Sequence, residues 1–515
     1  LPKYPALYEV NTRVLLSRLS AGLRRPATLD DIPDAELDAF ARRGFDWIWL
    51  LGIWQTGPEG KKIAFAERDW GTGCGESDVC GACFAVVRYG VHADFGGNPA
   101  LDRLRKRLHA RGLRLMLDFV PNHTARDHPW VREHPEYYVR GTEADLAREP
   151  RNYCRVESAR GAVVLAHGRD PNFPGRTDTL QLNYAEPSLQ EAMTAELRRI
   201  SGMCDGLRCD MAMLLLPEVF ERTWRLRPEP FWPRVIAQAR AAHPDLLFLA
   251  EVYWDLEWTL QQQGFDYTYD KRLYDRLRAG CAGPVRDHLR GDPEFQRRSV
   301  RFLENHDEPR AAAVFAPEVH SAAAVITYLS PGLRFFHHGQ LEGSQARIPL
   351  QLAGGPAEPG VPALRTFYDT LLACLRDPAV RDGEWRLLDP VPAWEGNPTW
   401  GNFVAWSWEK DGRCLLMAVN YAPHRGQCYV SLPFASPRSR QVRLRDRLGP
   451  AVYDRDAAGL VSPGLYLDMP AWGAHVFELE PEAAALFTEA PRAQRRCRPP
   501  AFSASTYFRG GRRGF

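Results

Sequence analysis

The feature that most constrains this chain is an alternation. Short apolar runs rich in Val, Ile, Leu and Phe are followed, time after time, by longer segments of helical period. Residues 8–15, 46–53, 113–120, 206–211, 246–252, 265–269, 300–304 and 332–337 read as strands. Residues 34–43, 98–110, 188–201 and 231–242 read as helices. Asp34 stands near one start, Gly44 follows one end, and Ser188 with Glu191 is spaced like a capping box. Strands that are apolar on both faces and separated by helices predict a parallel sheet. An open doubly wound sheet and a closed (β/α)8 TIM barrel both satisfy that pattern. No G-x-G-x-x-G follows the first strand, which counts against a dinucleotide fold. No fixed-period repeat is visible, which counts against a solenoid or propeller.

The polar residues favour the barrel. Residues 115–117 lead into Asp118, with Asn122 and His123 close behind. Residues 206–207 lead into Arg208 and Asp210, residues 247–250 into Glu251, and residues 301–303 into Glu304, His306 and Asp307. In a parallel barrel such strand ends converge on one face. One acid after a strand is commonplace as a helix cap. Successive deliveries of carboxylates, with an arginine and two histidines beside them, are costly to bury unless paired or used. Carboxylates without a Cys or Lys nucleophile suit acetal chemistry. One attacks the anomeric carbon, a second protonates the leaving oxygen, and a third favours the cationic transition state.

These segments resemble the four ordered signature regions of the α-amylase family of retaining glycosidases and transglycosylases. Asp118-x-x-x-Asn122-His123 is similar to the first, Gly206-x-Arg208-x-Asp210 to the second, Glu251 after Leu249–Ala250 to the third, and Asn305–His306–Asp307 to the fourth. Weaker likenesses lie at 47–52, 180–183 and 339–343. The resemblance implies Asp210 as nucleophile, Glu251 as general acid and base, and Asp307 as transition-state stabiliser. It implies Arg208 as the residue that orients and acidifies Asp210, and His123 and His306 as binders of sugar hydroxyls. Asp118 would organise the site from beneath, and Asn122 would be structural or, as in many family members, bind calcium. An Asp210–Glu251 carboxyl separation of about 5–5.5 Å is expected for retention. The chain departs from the family where a Lys–His pair usually follows the nucleophile; here the stretch is Met211–Ala212–Met213–Leu214. Phe84 stands near a usual stacking Tyr, and Arg88 near a usual aspartate. Trp254 is expected to wall a subsite on the leaving side, Trp130 to pack between domains, and Arg310 to reach either substrate or Glu304.

The expected organisation is a catalytic barrel at 1–123 and 187–380, an inserted loop-rich domain B at 124–186 after the third strand, a C-terminal antiparallel β-sandwich at 381–480, and a basic, extended tail at 481–515. The C-terminal domain is announced by short alternating runs separated by turn residues. Lys and Arg number 66 against 64 Asp and Glu, so no global electrostatic signal for nucleic acid or anionic membrane exists. No apolar run is long enough for a membrane span; 322–329 is the longest candidate. The 11 cysteines, an odd number, argue for reduced thiols and a cytoplasmic location, although a removed leader is compatible with the start at Leu1. Cys74, Cys80 and Cys83 cluster, and free thiols in a Gly-rich loop are favoured there over zinc. A structural calcium is compatible with acids at Asp145, Glu149, Asp170 and Asp178, which form no ligand pattern. No cofactor is needed for the chemistry. The leading function is a retaining hydrolase of α-linked glucosides, with an oligosaccharide or α-glucan as its partner. A transglycosylase or isomerase is the close alternative, and a non-catalytic barrel scaffold is the alternative of another class.

Overall fold

Eight parallel strands close into a barrel in sequential order. They are Ala6–Asn11, Trp47–Leu51, Arg114–Phe119, Gly206–Cys209, Leu247–Ala250, Tyr267–Tyr269, Ser299–Arg301 and Leu333–His337. The structure is a computed structural model and describes residues 1–66, 78–356, 358–432 and 441–481. Cys74 and residues 482–515 of the basic tail expected at 481–515 therefore lie outside the described residues. The last strand pairs with the first, Tyr8 opposite Phe336, and this register closes the ring. The strands are buried on both faces, towards the lumen and towards the helices, which is why they read as unbroken apolar runs. Trp49, Tyr269, Phe302 and Phe335 form one aromatic layer in the lumen, with ring centroids 5.4–5.9 Å apart.

Of the boundaries that differ from the sequence reading, two have a plain local cause. The first apolar run, 8–15, is not one strand: the strand ends at Asn11 and a helix, Thr12–Leu23, begins at once. Asn11 supplies the reason, since its side chain accepts from Val14 N at 3.3 Å and caps the new helix. The helix expected at 188–201 runs Pro187–Ser201, and Glu186 rather than Ser188 is its cap, accepting from Ser188 N. A proline in the first helical position has no N–H to satisfy, so the boundary falls one residue earlier.

The insertion after the third strand carries more regular structure than its loop-like sequence suggests. His123–Ala125 pairs with Thr179–Gln181, and Tyr153–Ser158 pairs with Gly161–Ala166. Gln181 Nε2 donates to both the side-chain and backbone oxygens of Asn122, at 3.0 and 2.9 Å, and so stitches the insertion back to the barrel mouth.

Beyond the barrel lie a six-stranded and a three-stranded antiparallel sheet. Strand Phe403–Lys410 explains their arrangement through its period of two. Phe403 and Ala405 face the space between the two sheets, with Leu416, Val430 and Phe477. Val404, Trp406 and Trp408 face the other way and join the barrel core. Trp406 and Trp408 each donate an indole N–H to the Leu329 carbonyl, at 2.9 and 2.7 Å. Leu329 ends helix Pro317–Leu329, which is buried between barrel and sheet. That sandwiching accounts for the longest apolar run in the chain: the helix has almost no wet face. No helix among the described residues is long and apolar enough to cross a membrane.

Candidate active site

Arg208 is the centre of the site and is fully buried. It points into the barrel mouth from the fourth strand, boxed by Trp49, Phe84 and Tyr269 at 5.2, 5.2 and 5.8 Å from its guanidinium. A cation this deep must be paired. Nη1 donates to Asp210 Oδ1 at 2.7 Å, and Nη2 to Glu251 Oε2 at 2.7 Å. Asp118, on the neighbouring third strand, stands 3.7 Å from Nη1. Burial pushes the Asp118 carboxyl up to about 7, against the pull of Arg208 and His306. One guanidinium thus gathers three carboxylates delivered by three adjacent strands.

Glu251 is held from three directions. Oε2 accepts from Arg208 and from Met211 N at 2.8 Å, while Oε1 meets the Tyr253 hydroxyl at 2.9 Å. Burial pushes its carboxyl up to about 7, with Arg208 pulling it down and Asp210 and Asp307 adding to the rise. Neither donor to Oε2 can accept a hydrogen bond, so the proton of the neutral acid belongs on Oε1.

Asp307 approaches from the seventh strand's end and lies half exposed in the cleft. Burial by the cleft walls raises its carboxyl, but His306, with Nε2 3.1 Å from Asp307 Oδ2, outweighs this and holds it below the usual carboxylate range. His306 Nδ1 in turn contacts Glu9 Oε1 at 2.6 Å. The two acids overcome the cost of burial, so the His306 pKa lies well above its ordinary value. His123 is buried, and desolvation lowers its pKa. Its Nε2 has no partner among the described residues.

A cavity of about 410 Å³ opens onto this group. Asp210, Glu251, Asp307, His123 and Phe84 line it, with Met211, Leu214 and Tyr253 along one side. Of the sequence-predicted residues, Arg208, His306 and Asp118 lie directly behind these. Asn122 also lines the cavity, but its oxygen is engaged by Gln181. Trp254 is not among the lining residues. Its ring is 37% exposed and lies under Arg222, 5.6 Å away, so the wall expected of it is made by Tyr253 instead. Arg310 pairs with Glu304 at 2.8 Å and donates to the His338 carbonyl, a structural use. Trp130 packs against Tyr137, edge to face, within the insertion.

The donors do not fit a calcium centre. Asp145 caps Thr142 and pairs with Arg148, Glu149 accepts from Asn152, Asp170 closes a turn onto Asn172 and Phe173, and Asp178 lies 3.8 Å from Arg176. No group of three or more metal-ligating side chains occurs among the described residues. Cys80 sits 3.0 Å from an Arg13 nitrogen, and burial pushes the Cys83 thiol up to about 12.

Sequence reasoning missed Glu9, Met211 and Tyr253. Glu9 was detectable: it is a carboxylate in the middle of the apolar run 6–10, in a strand buried on both faces. Tyr253 lies two residues past Glu251, where a phenol reads no differently from a packing aromatic. Met211 acts through its backbone, which leaves no side-chain signal.

A closed parallel barrel with an acidic cluster at the C-terminal strand ends defines the class: a (β/α)8 barrel with carboxylates gathered at its mouth. Residues 88–266 match the family model for the alpha-amylase catalytic domain. The chain is 25% identical over 360 residues to Alpha-amylase MalA of Haloarcula japonica, covering 66% of this chain and 44% of the relative. It is 26% identical over 313 residues to an Alpha-1,4-glucan:maltose-1-phosphate maltosyltransferase of Burkholderia pseudomallei, covering 57% and 24%. The chain thus spans well under two thirds of these relatives' lengths. Its fold is similar to that of the maltogenic alpha-amylase AmyB of Thermotoga neapolitana, with a TM-score of 0.66 at 19% identity, covering 92% of this chain and 98% of the other.

Proposed function

We propose that the chain is a retaining enzyme of α-linked glucosides of the maltooligosaccharide or α-glucan type. The observation that carries this reading is the Arg208 bridge, which holds Asp210 and Glu251 on adjacent strand ends facing one cavity. In the first step an Asp210 oxygen attacks the anomeric carbon. The bond to the leaving oxygen breaks as that oxygen takes the Glu251 Oε1 proton. Asp307, kept ionised by His306, faces the positive charge that develops on the sugar ring. His123 Nε2 is available to a sugar hydroxyl. In the second step Glu251, now a carboxylate, takes a proton from the incoming hydroxyl, whose oxygen displaces Asp210.

The hydroxyl in that second step belongs to water or to a sugar. Met211, Leu214 and Tyr253 line the cavity beside Glu251. An apolar wall there disfavours ordered water and suits the face of a second sugar. This favours transfer as the second reading. The maltosyltransferase relatives are in keeping with it.

Incubation with maltoheptaose, glycogen, maltose, sucrose and trehalose, with Asp210→Ala as control, tests both readings. Shorter sugars made by wild type alone support the hydrolase. Longer sugars or a new disaccharide move the assignment to a transferase or isomerase. No turnover of any of them counts against a glucoside enzyme.

A further inference from the structure

A second cavity, of about 510 Å³, adjoins the first. The two share Arg176 and Asp307, but Asp210 and Glu251 line only the first. The second cavity therefore extends from the site past Asp307, on the side that does not hold the proton donor. Arg151, Arg176 and Arg347 line it, against Asp178 and Asp307.

The guanidiniums are unevenly compensated: Asp178, Asp210 and Asp307 favour the charge on Arg176, whereas Arg151 and Arg347 have no such partners among the described residues. Asp307 is already engaged by His306. Arg176 Nε lies 3.8 Å from Asp178, too far for a hydrogen bond. Arg347 donates to the Asp307 backbone carbonyl at 2.6 Å and has no carboxylate partner among the described residues. Arg151 has no ion-pair partner among them either. Three guanidiniums against two carboxylates leave the lining with a net positive charge, which an anion would offset.

The cluster is also held in place by the fold. Gly175 approaches so closely that a Cβ there would lie 2.6 Å from His167 Cβ and 3.1 Å from the Arg151 carbonyl. Its N–H donates to Asn152 Oδ1 at 2.8 Å, and Arg176 N donates to the Gly168 carbonyl at 2.9 Å. These contacts pin Arg176 beside the segment that carries Arg151. Arg347 arrives from the connection after the eighth strand.

We propose that this cavity binds an anionic group, a phosphate monoester or a carboxylate, carried by the glycosyl unit that the enzyme retains after bond cleavage. Planar guanidinium forks match either anion in bidentate fashion. The assignment rests on the glucoside reading above, and the test separates the two.

Calorimetric titration of Asp210→Asn enzyme, which binds without turnover, uses four probes: maltose, maltose 6′-phosphate, maltose with its non-reducing unit oxidised to a 6′-carboxylate, and inorganic phosphate. At low salt, one of the anionic disaccharides is expected to bind about tenfold or more tightly than maltose. Whichever does so identifies the anion. Arg151→Gln/Arg347→Gln brings that ratio close to unity, whereas Arg151→Lys/Arg347→Lys keeps part of it and reports on folding. Equal binding of charged and neutral disaccharides overturns the proposal, as does a ratio that survives the Gln pair. Binding of phosphate without any disaccharide supports the anion site and overturns the glucoside reading.

Discussion

Met211 donates its backbone N–H to Glu251 Oε2 at 2.8 Å, and it does so from a left-handed conformation, φ 43°. The next N–H, of Ala212, reaches the Glu251 carbonyl at 2.9 Å. The turn that follows Asp210 therefore grips Glu251 by both its side chain and its main chain. The left-handed conformation is the cost of aiming the first N–H.

That strain is testable. Met211→Gly keeps the N–H and suits a positive φ, so thermal stability should hold or rise despite the lost side chain. Met211→Val places a β-branched residue in the same conformation and should cost about 1–3 kcal/mol in chemical denaturation. If both variants unfold alike, the backbone of Met211 is not what holds Glu251.

Turnover should depend on a neutral Glu251. The acid is pushed up to about 7, so kcat/KM is expected to fall as pH rises through that value. Tyr253→Phe removes the hydroxyl that supports the ionised carboxylate on Oε1. The pKa then rises, and the alkaline limb should move to higher pH. A limb that stays put or moves lower would remove Tyr253 from the proton's path. Asp210→Asn should cost about 10⁴-fold or more in kcat, as measured in single-turnover assays.

The Glu9–His306 pair links stability to pH. His306 titrates well above its ordinary 6.5 in the folded protein. A raised folded pKa contributes stability that is fully present below the unfolded value. It is lost as pH rises above 6.5 and through the folded value. Unfolding free energy should therefore decline on the alkaline side. His306→Ala strands the buried Glu9 charge and should cost about 3–5 kcal/mol, with Glu9→Gln/His306→Gln recovering part of it and flattening the decline.

The two sheets beyond the barrel should not unfold separately from it. Trp408→Ala removes a buried ring and its hydrogen bond to Leu329, at an expected cost of about 3–5 kcal/mol. Calorimetry should show a single transition in both wild type and variant. Two resolved transitions would mean that the shared core is not cooperative.

Much of this was legible because the barrel repeats one local rule. Each strand must be largely apolar on both faces, and polar residues at or just past its C-terminal end serve the mouth. That rule located Asp118, Asp210, Glu251 and Asp307 before any coordinates. It failed where the information is not local. Asn11 ended the first strand early because its side chain found a helix N–H, which hydrophobic periodicity does not register. Trp254 follows Glu251 in sequence but turns away under Arg222, because its positive φ of 64° redirects the chain after Tyr253. The cavity of Arg151, Arg176 and Arg347 unites two segments of the insertion with one from beyond the eighth strand, a convergence that only the folded chain creates.

Glu9 and His306 are 297 positions apart in sequence. During synthesis at about 5–20 residues per second, Glu9 waits roughly 15–60 seconds before its partner is even made. For that whole interval the first strand carries a carboxylate that cannot be buried at low cost. The opening strand is thus kept from settling into a dry interior until the seventh has been made. The same acid that braces the finished site also keeps the first strand wet through the making of the five barrel strands that follow the second.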